Sequence, residues 1–534
     1  MQKLSSLRII LLSSITFILF YNFSFFKNLV ATYGFSGLNI IYVLSTAILL
    51  IALITLLLTI FSSKYTTKPI LYILFLTSSF TAYFMDTYKV IIDSEMIRNM
   101  LQTNLDESLD LFSLKLVAYV LILGVLPIFF IYKTQIVYKP LKSEIFSKLK
   151  TIILSIIVIL VILFSFSKFY TSFFREHKAL RYNINPIYWM YSAGNFIHKT
   201  FDTTPTQMTE IGKDSKVVEP LAEPKELIIL VVGEAARADR FSINGYEKET
   251  NPLLKKEDII NFPNMYSCGT STAHSVPCMF SVFPKDDYSY KKGAYTQNVL
   301  DVLKNTQDIA ILWRDNNSDS KGVALRVDYE DYQSPKTNTI CDEECRDEGM
   351  LVGLEDYIEK NKDRDILIVL HQMGNHGPAY NKRYPKEFEK FTPVCKTNQL
   401  EDCTKEEIGN AYDNAILYTD YFLSKAINFL KPYANSHETA LLYISDHGES
   451  LGESGLYLHG MPYTIAPKEQ KNVASFIYLG KGAMEEEYDK NKLKSYNDKE
   501  FSQDNLFHTI LGLFEVETDV YKKELDILND ARNE

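Results

Sequence analysis

The chain has 534 residues, 46% of them hydrophobic and 23% charged, with a formal net charge of −10. That length allows two or three domains, and the acidic balance argues against nucleic acid as a partner, because phosphate backbones demand a basic face. Leu, Ile, Phe and Val dominate up to about Phe174, whereas the composition after Glu223 is that of a globular domain, so two environments are implied.

Five apolar stretches, at 9–26, 38–61, 69–90, 111–131 and 152–169, have the length of about 20 residues that crosses a bilayer. Lys3 and Arg8, then Lys64 and Lys68, then Lys133, Lys139, Lys142, Lys148 and Lys150 fall on one side of these spans. The alternate connectors carry mainly Lys27, Lys89 and Arg98, so the positive-inside rule places the N-terminus in the cytoplasm and the large domain outside. A cleaved signal peptide is the rival for the first stretch, but no small-residue cleavage pattern follows it.

The outward connector between the third and fourth spans reads IIDSEMIRNMLQTNLDESLDLF. Asn99, Thr103 and Glu107 recur there at i, i+4 and i+8, which predicts one polar helical face close to the membrane surface. On spacing alone a solvated face is the plain reading. Residues 171–224 follow the last span as a bridging segment, with Tyr182, Tyr188, Trp189 and Tyr191 clustered as in an interfacial belt. Its final part, 202–224, is rich in proline and polar residues and reads as a linker.

Beyond it, short apolar runs at 227–232, 309–312, 366–370 and 441–444 alternate with helical patterns, the signature of buried parallel strands in an α/β sheet. Ligands bind beyond the carboxyl ends of such strands. Glu234 follows the first run, His371 and His376 the third, and Asp446, His447 and Glu449 the fourth. Carboxylate and imidazole donors together suit Zn²⁺. The contexts HQMGNHGP, SDHGES and YLHGMP also fit loop histidines that merely hydrogen-bond, taken singly; four together, with His459, point to a metal site.

All six cysteines lie in this half and come in short-range pairs, Cys268 and Cys278, Cys341 and Cys345, Cys395 and Cys403. Local pairing is the cheapest closure, so three disulfides and an oxidising compartment are expected. A structural zinc site is the weaker reading, since no two close CxxC-type pairs exist. The stretch SCGTSTAHSVPCMFS supplies a nucleophile: a Cys268–Cys278 bridge would close a loop around small hydroxyl residues at a helix start, where N–H groups favour an anion. Spacing does not choose among Thr270, Ser271, Thr272 and Ser275.

VVGEAARADRFSINGYEKETNP, SCGTSTAHSVPCMFS, WRDNNSDSKG, HQMGNHGPAY and YISDHGESLGESGLYLHGMPYTIAPKEQ together resemble the phosphoethanolamine transferases that modify lipopolysaccharide, the family that includes the colistin-resistance enzymes. The resemblance covers essentially the whole chain. It implies a five-helix transmembrane domain at 1–170, a bridging segment at 171–224, and an α/β alkaline-phosphatase/sulfatase-like periplasmic domain at 225–534. It implies Thr272 as nucleophile, held with Glu234, Asp446 and His447 around one tightly bound zinc ion. His376 and His459 would bind a second zinc or the substrate phosphate, with His371 nearby, and Lys321 would contact a phosphate oxygen. Asn99, Thr103 and Glu107 match the family's polar residues for the lipid head group, which reverses the plain reading of that connector. Ala235 departs from the family's common Thr beside Glu234.

The reaction implied is a double displacement from phosphatidylethanolamine through phospho-Thr272 to an envelope acceptor at the inner membrane. A sulfatase would need a CxPxR or SxPxR segment, which is absent around Thr272. A glycerol-phosphate transferase of cell-wall polymers would share the five spans and the threonine, but not the paired cysteines. An inactive lipid-binding sensor would not need the assembled nucleophile, carboxylates and histidines. The motifs describe donor chemistry and leave the acceptor open among lipid A phosphate, core sugar and exported protein.

Overall fold

A computed structural model describes residues 3–103, 105–200, 207–218 and 224–533; parts of the expected linker, 202–206 and 219–223, lie outside them. Contacts divide the chain into two units, Met1–Ile97 with Phe112–Phe201, and Arg98–Leu111 with Asp202–Glu534.

In the first unit, Leu38–Phe61, Thr67–Thr87, Leu114–Lys133 and Leu141–Ser165 are long and apolar enough to cross a membrane. The bent pair Ser6–Phe20 and Phe23–Tyr33 makes a fifth if counted as one span. The first expected span is therefore a helix broken by 58°, and polar residues account for the break. The Asn22 amide donates to the Phe17 carbonyl at 2.9 Å and to the Asn185 carbonyl at 2.6 Å, while its oxygen accepts from the Asn185 N–H. The chain restarts as helix because Asp86, at the end of Thr67–Thr87, accepts from the Ser24 N–H at 3.1 Å and its hydroxyl at 2.7 Å, capping a new N-terminus. The last span begins at Leu141 rather than 152, since Lys142, Lys148 and Lys150 are good helix formers that continue the helix ahead of the apolar run. The bridging segment is helical over Ser167–Glu176 and Ile187–Thr200.

The connector departs from its expected single helix. It forms Ser94–Gln102 and Leu105–Asp110 with Thr103 outside both. The Thr103 hydroxyl donates to the Asn99 carbonyl at 2.7 Å, the kind of local side-chain bond that competes with helix continuation. Asn99, Thr103 and Glu107 thus do not share one unbroken helical face.

The second unit is built on a seven-stranded sheet of β1 (Lys225–Gly233), β2 (Ile259–Asn261), β3 (Ile309–Asp315), β4 (Asp328–Asp331), β5 (Asp365–His371), β6 (His437–Ser445) and β7 (Ser475–Leu479), in the order β2-β7-β6-β1-β5-β3-β4. β6, β1, β5, β3 and β4 run parallel, and β7 and β2 add antiparallel strands at one side. The four apolar runs of the sequence became β1, β3, β5 and β6, buried on both faces as parallel strands require. Their register aligns Val232 and Asp315 with His371, and Gly233 with Ser445. Four neighbouring strands therefore deliver their C-terminal residues to one edge.

Candidate active site

Glu234 is the first residue beyond β1 and Asp446 the first beyond β6, both fully buried. Ala235, next to Glu234, has φ of +53°, a left-handed conformation costly for an L residue. It is held there by its N–H donating to Asp446 Oδ1 at 3.1 Å and its carbonyl accepting from the Tyr412 hydroxyl at 2.6 Å. Asp446 Oδ1 also accepts from the His447 N–H at 2.7 Å, which leaves Oδ2 without a hydrogen-bond partner, as is Glu234 Oε1. On His447, Nδ1 faces the Gly448 carbonyl at 2.8 Å and so carries the proton, leaving the Nε2 lone pair directed at the carboxylates. Burial pushes this imidazole down to about 4, hence neutral at neutral pH.

The loop expected to carry the nucleophile is closed by a Cys268–Cys278 disulfide, and Cys341–Cys345 and Cys395–Cys403 are bonded too. Thr272 is the first residue of helix Thr272–Met279, behind an extended Ser271. Its hydroxyl lies 3.0 Å from Glu234 Oε2 and 3.3 Å from His447 Nε2. Two of the three competing hydroxyls are engaged elsewhere: Thr270 donates to the Met461 carbonyl at 2.6 Å, and Ser275 accepts from the Gly269 N–H at 2.8 Å.

His447 Nε2 is also 3.4 Å from Glu234 Oε1 and from Asp446 Oδ2. Donors about 2.0–2.1 Å from a tetrahedral ion stand about 3.3–3.4 Å apart, so the observed 3.0–3.4 Å separations fit zinc. Electrostatics agrees. Burial, then the Asp446 charge, pushes the Glu234 carboxyl well above its usual range, and a cation between the two relieves both causes. Among the described residues the other metal-sized group is Cys268, His274 and Cys278, whose two sulfurs are bonded to each other.

Around this centre the rings of His447 and His459 lie 4.2 Å apart and those of His459 and His376 5.7 Å. Glu449 Oε2 holds His459 Nδ1 at 3.0 Å; Glu449 is fully buried and His459 partly so. His376 is half-buried, and its Nδ1, itself shut off from solvent, has no hydrogen-bond partner. Burial pushes the Glu107 carboxyl up, against the charges of Lys321, Arg383 and His459 and a hydrogen bond from Ser318, so Glu107 stands within the field of these groups. Lys321, with φ of +49°, directs its ammonium to Ser318 Oγ at 2.5 Å and to the Gln102 carbonyl at 3.5 Å. A cavity of about 320 Å³, lined among others by Glu107, Asp110, Asn316, Met373 and Arg383, adjoins Glu107. Asn99 and Thr103 lie partly buried in the same connector. His371 is the last residue of β5, where Nδ1 pairs with Asp315 at 2.9 Å and the ring packs on Trp313.

Several residues of the site went unread in the sequence. Asn317 donates to Glu234 Oε2 at 2.9 Å and to the Gln372 carbonyl at 2.8 Å, fixing the carboxylate. Gln503 accepts from the Cys268 N–H at 2.6 Å and donates to the Ser445 and Asp446 carbonyls at 2.8 Å each, tying the Thr272 loop to the end of β6. Asp347 accepts from the Met373 and Gly374 N–H groups and shapes the loop that carries His376. Asn317 sits inside a quoted motif and was findable there; Gln503 carries no local signal.

Residues 226–516 match the Sulfatase family and residues 50–201 match the family described as Phosphoethanolamine transferase EptA/EptB. The chain is 43% identical over 506 residues to phosphatidylethanolamine transferase Mcr-2 of Escherichia coli, across 93% of this chain and 92% of that one. It is 39% identical to phosphoethanolamine transferase EptA of Escherichia coli (strain K12), across 96% and 94%. The solved structure of the integral membrane protein lipooligosaccharide phosphoethanolamine transferase A from Neisseria meningitidis is 32% identical and superposes with a TM-score of 0.96 over 100% of both chains.

Proposed function

We propose, for a chain that belongs to the phosphoethanolamine transferase family, that Thr272 carries phosphoethanolamine from phosphatidylethanolamine to a lipid A phosphate or sugar. The protein is an integral inner-membrane enzyme with a periplasmic sulfatase-like domain. We assign the membrane domain to 1–170, the bridging segment to 171–224 and the catalytic domain to 225–534. The observation that carries the reading is the Thr272 hydroxyl within 3.0–3.3 Å of Glu234 and His447, beside two carboxylate oxygens without partners.

Glu234, Thr272, Asp446 and His447 would hold one zinc ion, which would lower the pKa of the threonine hydroxyl and neutralise developing negative charge. Thr272 Oγ1 attacks phosphorus, and the proton it gives up is the one the leaving diacylglycerol oxygen gains. The bond from phosphorus to the diacylglycerol oxygen breaks, and that oxygen takes up a proton. His376, His459 and Lys321 receive the non-bridging phosphoryl oxygens, so the chain's own donors supply the electrostatic stabilisation that phosphoryl transfer demands. Glu107 pairs with the ethanolamine ammonium, with Asn99 and Thr103 on the phosphate side. His371, through Asp315, which bonds the Asn317 N–H, buttresses the strand edge more than it meets substrate. An acceptor oxygen then attacks the phosphorus on Thr272, the bond to Oγ1 breaks, and the threonine regains its proton.

Transfer of isotope-labelled ethanolamine phosphate from phosphatidylethanolamine to lipid A by the purified enzyme tests this reading. Label on lipid A with the unmodified protein and none with Thr272→Ala is expected; equal transfer by Thr272→Ala refutes it.

A further inference from the structure

Glu107 and Asp110 stand three residues apart on Leu105–Asp110, so they share one face of that helix. Whatever fixes Asp110 therefore fixes where Glu107 points. Asp110 is held from three directions: Oδ1 accepts from Lys382 Nζ at 2.5 Å, Oδ2 from Arg383 at 2.5 Å, and its carbonyl from the Asn398 amide at 2.6 Å. The pair with Arg383 is buried on both sides, the side chains being 2% and 9% exposed. Arg383 also donates Nε–H to the His376 carbonyl at 2.7 Å and pairs with Glu344, inside the loop closed by Cys341–Cys345. One planar guanidinium thus joins the helix of Glu107, the segment of His376 and a disulfide-closed loop.

We propose that the Asp110–Arg383 ion pair is a positioning device for the donor head group, setting Glu107 at the distance from His376 that one phosphoethanolamine spans. The inference rests on the reading above that Glu107 meets the ethanolamine ammonium. A fork of donors in fixed geometry is needed because three acceptors are served at once, which a lysine ammonium on a flexible stem does not reproduce. Misplacing a charged partner by about 1 Å costs on the order of 10²-fold in a positioned reaction. Removing Asp110 leaves Arg383 paired with Glu344, so the catalytic fold retains a partner for its buried cation.

The test uses the full-length enzyme in mixed micelles of phosphatidylethanolamine, following diacylglycerol release, with zinc content measured on each variant. Asp110→Asn and Arg383→Lys are each expected to lower kcat/KM for the lipid donor at least tenfold at unchanged zinc content, with partial recovery in Asp110→Glu. In a Glu107→Gln background Asp110→Asn adds no further loss, because its effect passes through Glu107; a merely structural role would multiply the two losses. Donor kcat/KM equal to the unmodified enzyme in Asp110→Asn, or fully multiplicative losses, overturns the proposal. If Glu107→Gln itself is silent, the head-group reading fails and takes this one with it. If Glu107→Gln is impaired and Asp110→Asn silent, only the positioning role fails.

Discussion

Gly374 packs against the backbone of Glu234, the proposed metal ligand, and replacing it with alanine should disturb Glu234 without touching any charge. Gly374 has φ of +52°, and a Cβ built there would lie 3.0 Å from the Glu234 carbonyl oxygen and 3.1 Å from both its Cβ and its nitrogen. Alanine in the left-handed region costs roughly 1–2 kcal/mol, and forcing atoms into a packed site costs typically about 1–3 kcal/mol, so a total of about 2–5 kcal/mol is expected. Part of it appears as displacement of Glu234, since the backbone of that residue is what must give. Gly353 is the control: its φ of +73° imposes the same conformational strain with nothing within 4 Å of the added carbon. Thermal denaturation of the full-length protein in detergent, zinc titration and donor turnover would be compared for the two. Gly374→Ala should lose zinc affinity by about 10–100-fold, the cost of disturbing a ligand's support, and Gly353→Ala should not. Equal zinc affinity and turnover in both variants would refute the reasoning that the close approach, rather than φ, positions Glu234.

Chelation of metal should stop donor turnover, and Asp446→Asn should cost at least ~10² in rate while the disulfides stay intact, checked by activity alongside elemental analysis. Breaking Cys268–Cys278 by a double serine substitution should cost about 2–4 kcal/mol by the chain-entropy estimate, read as a lower melting temperature with the other two bridges mapped unchanged. Burial first, then the Lys522 charge, pushes the His508 imidazole down to about 4, and its Nδ1 accepts from the Lys522 N–H at 3.1 Å. The unfolded imidazole protonates near 6.5, so this contribution is complete above that pH and is lost as pH falls towards 4, about 3 kcal/mol in all. His508→Gln should flatten the fall in melting temperature between those pH values; an unchanged slope contradicts it.

The sheet strands were legible because parallel strands buried on both faces must be apolar runs, as β1, β3, β5 and β6 are. β2, β4 and β7 were not read: β2 and β7 are short antiparallel additions whose partners lie far away in the chain, and β4 is a short polar edge strand with no apolar run. The gathering of Glu234, Asp446 and His447 was legible for a topological reason: carboxylates and histidines directly after neighbouring parallel strands meet at one edge. The polar break at Asn22 was hidden because its partners, Asn185 and Asp86, are distant in sequence. The same holds for Gln503 and Arg383, whose meaning lies wholly in contacts that a linear pattern does not carry. The connector shows the reverse error: an i, i+4, i+8 pattern suggested one helix, and a threonine hydroxyl bonded to its own turn marks where that helix ends.

The covalent role of Thr272 is the claim on which the chemistry stands. Purified full-length enzyme, incubated with phosphatidylethanolamine in the absence of an acceptor and quenched, can be digested and the peptide spanning Cys268–Cys278 sequenced by mass spectrometry. Phosphoethanolamine on Thr272, discharged when lipid A is added, is the expected result. Modification of Thr270, Ser271 or Ser275 instead, or an unmodified peptide from enzyme that is turning over, would contradict it.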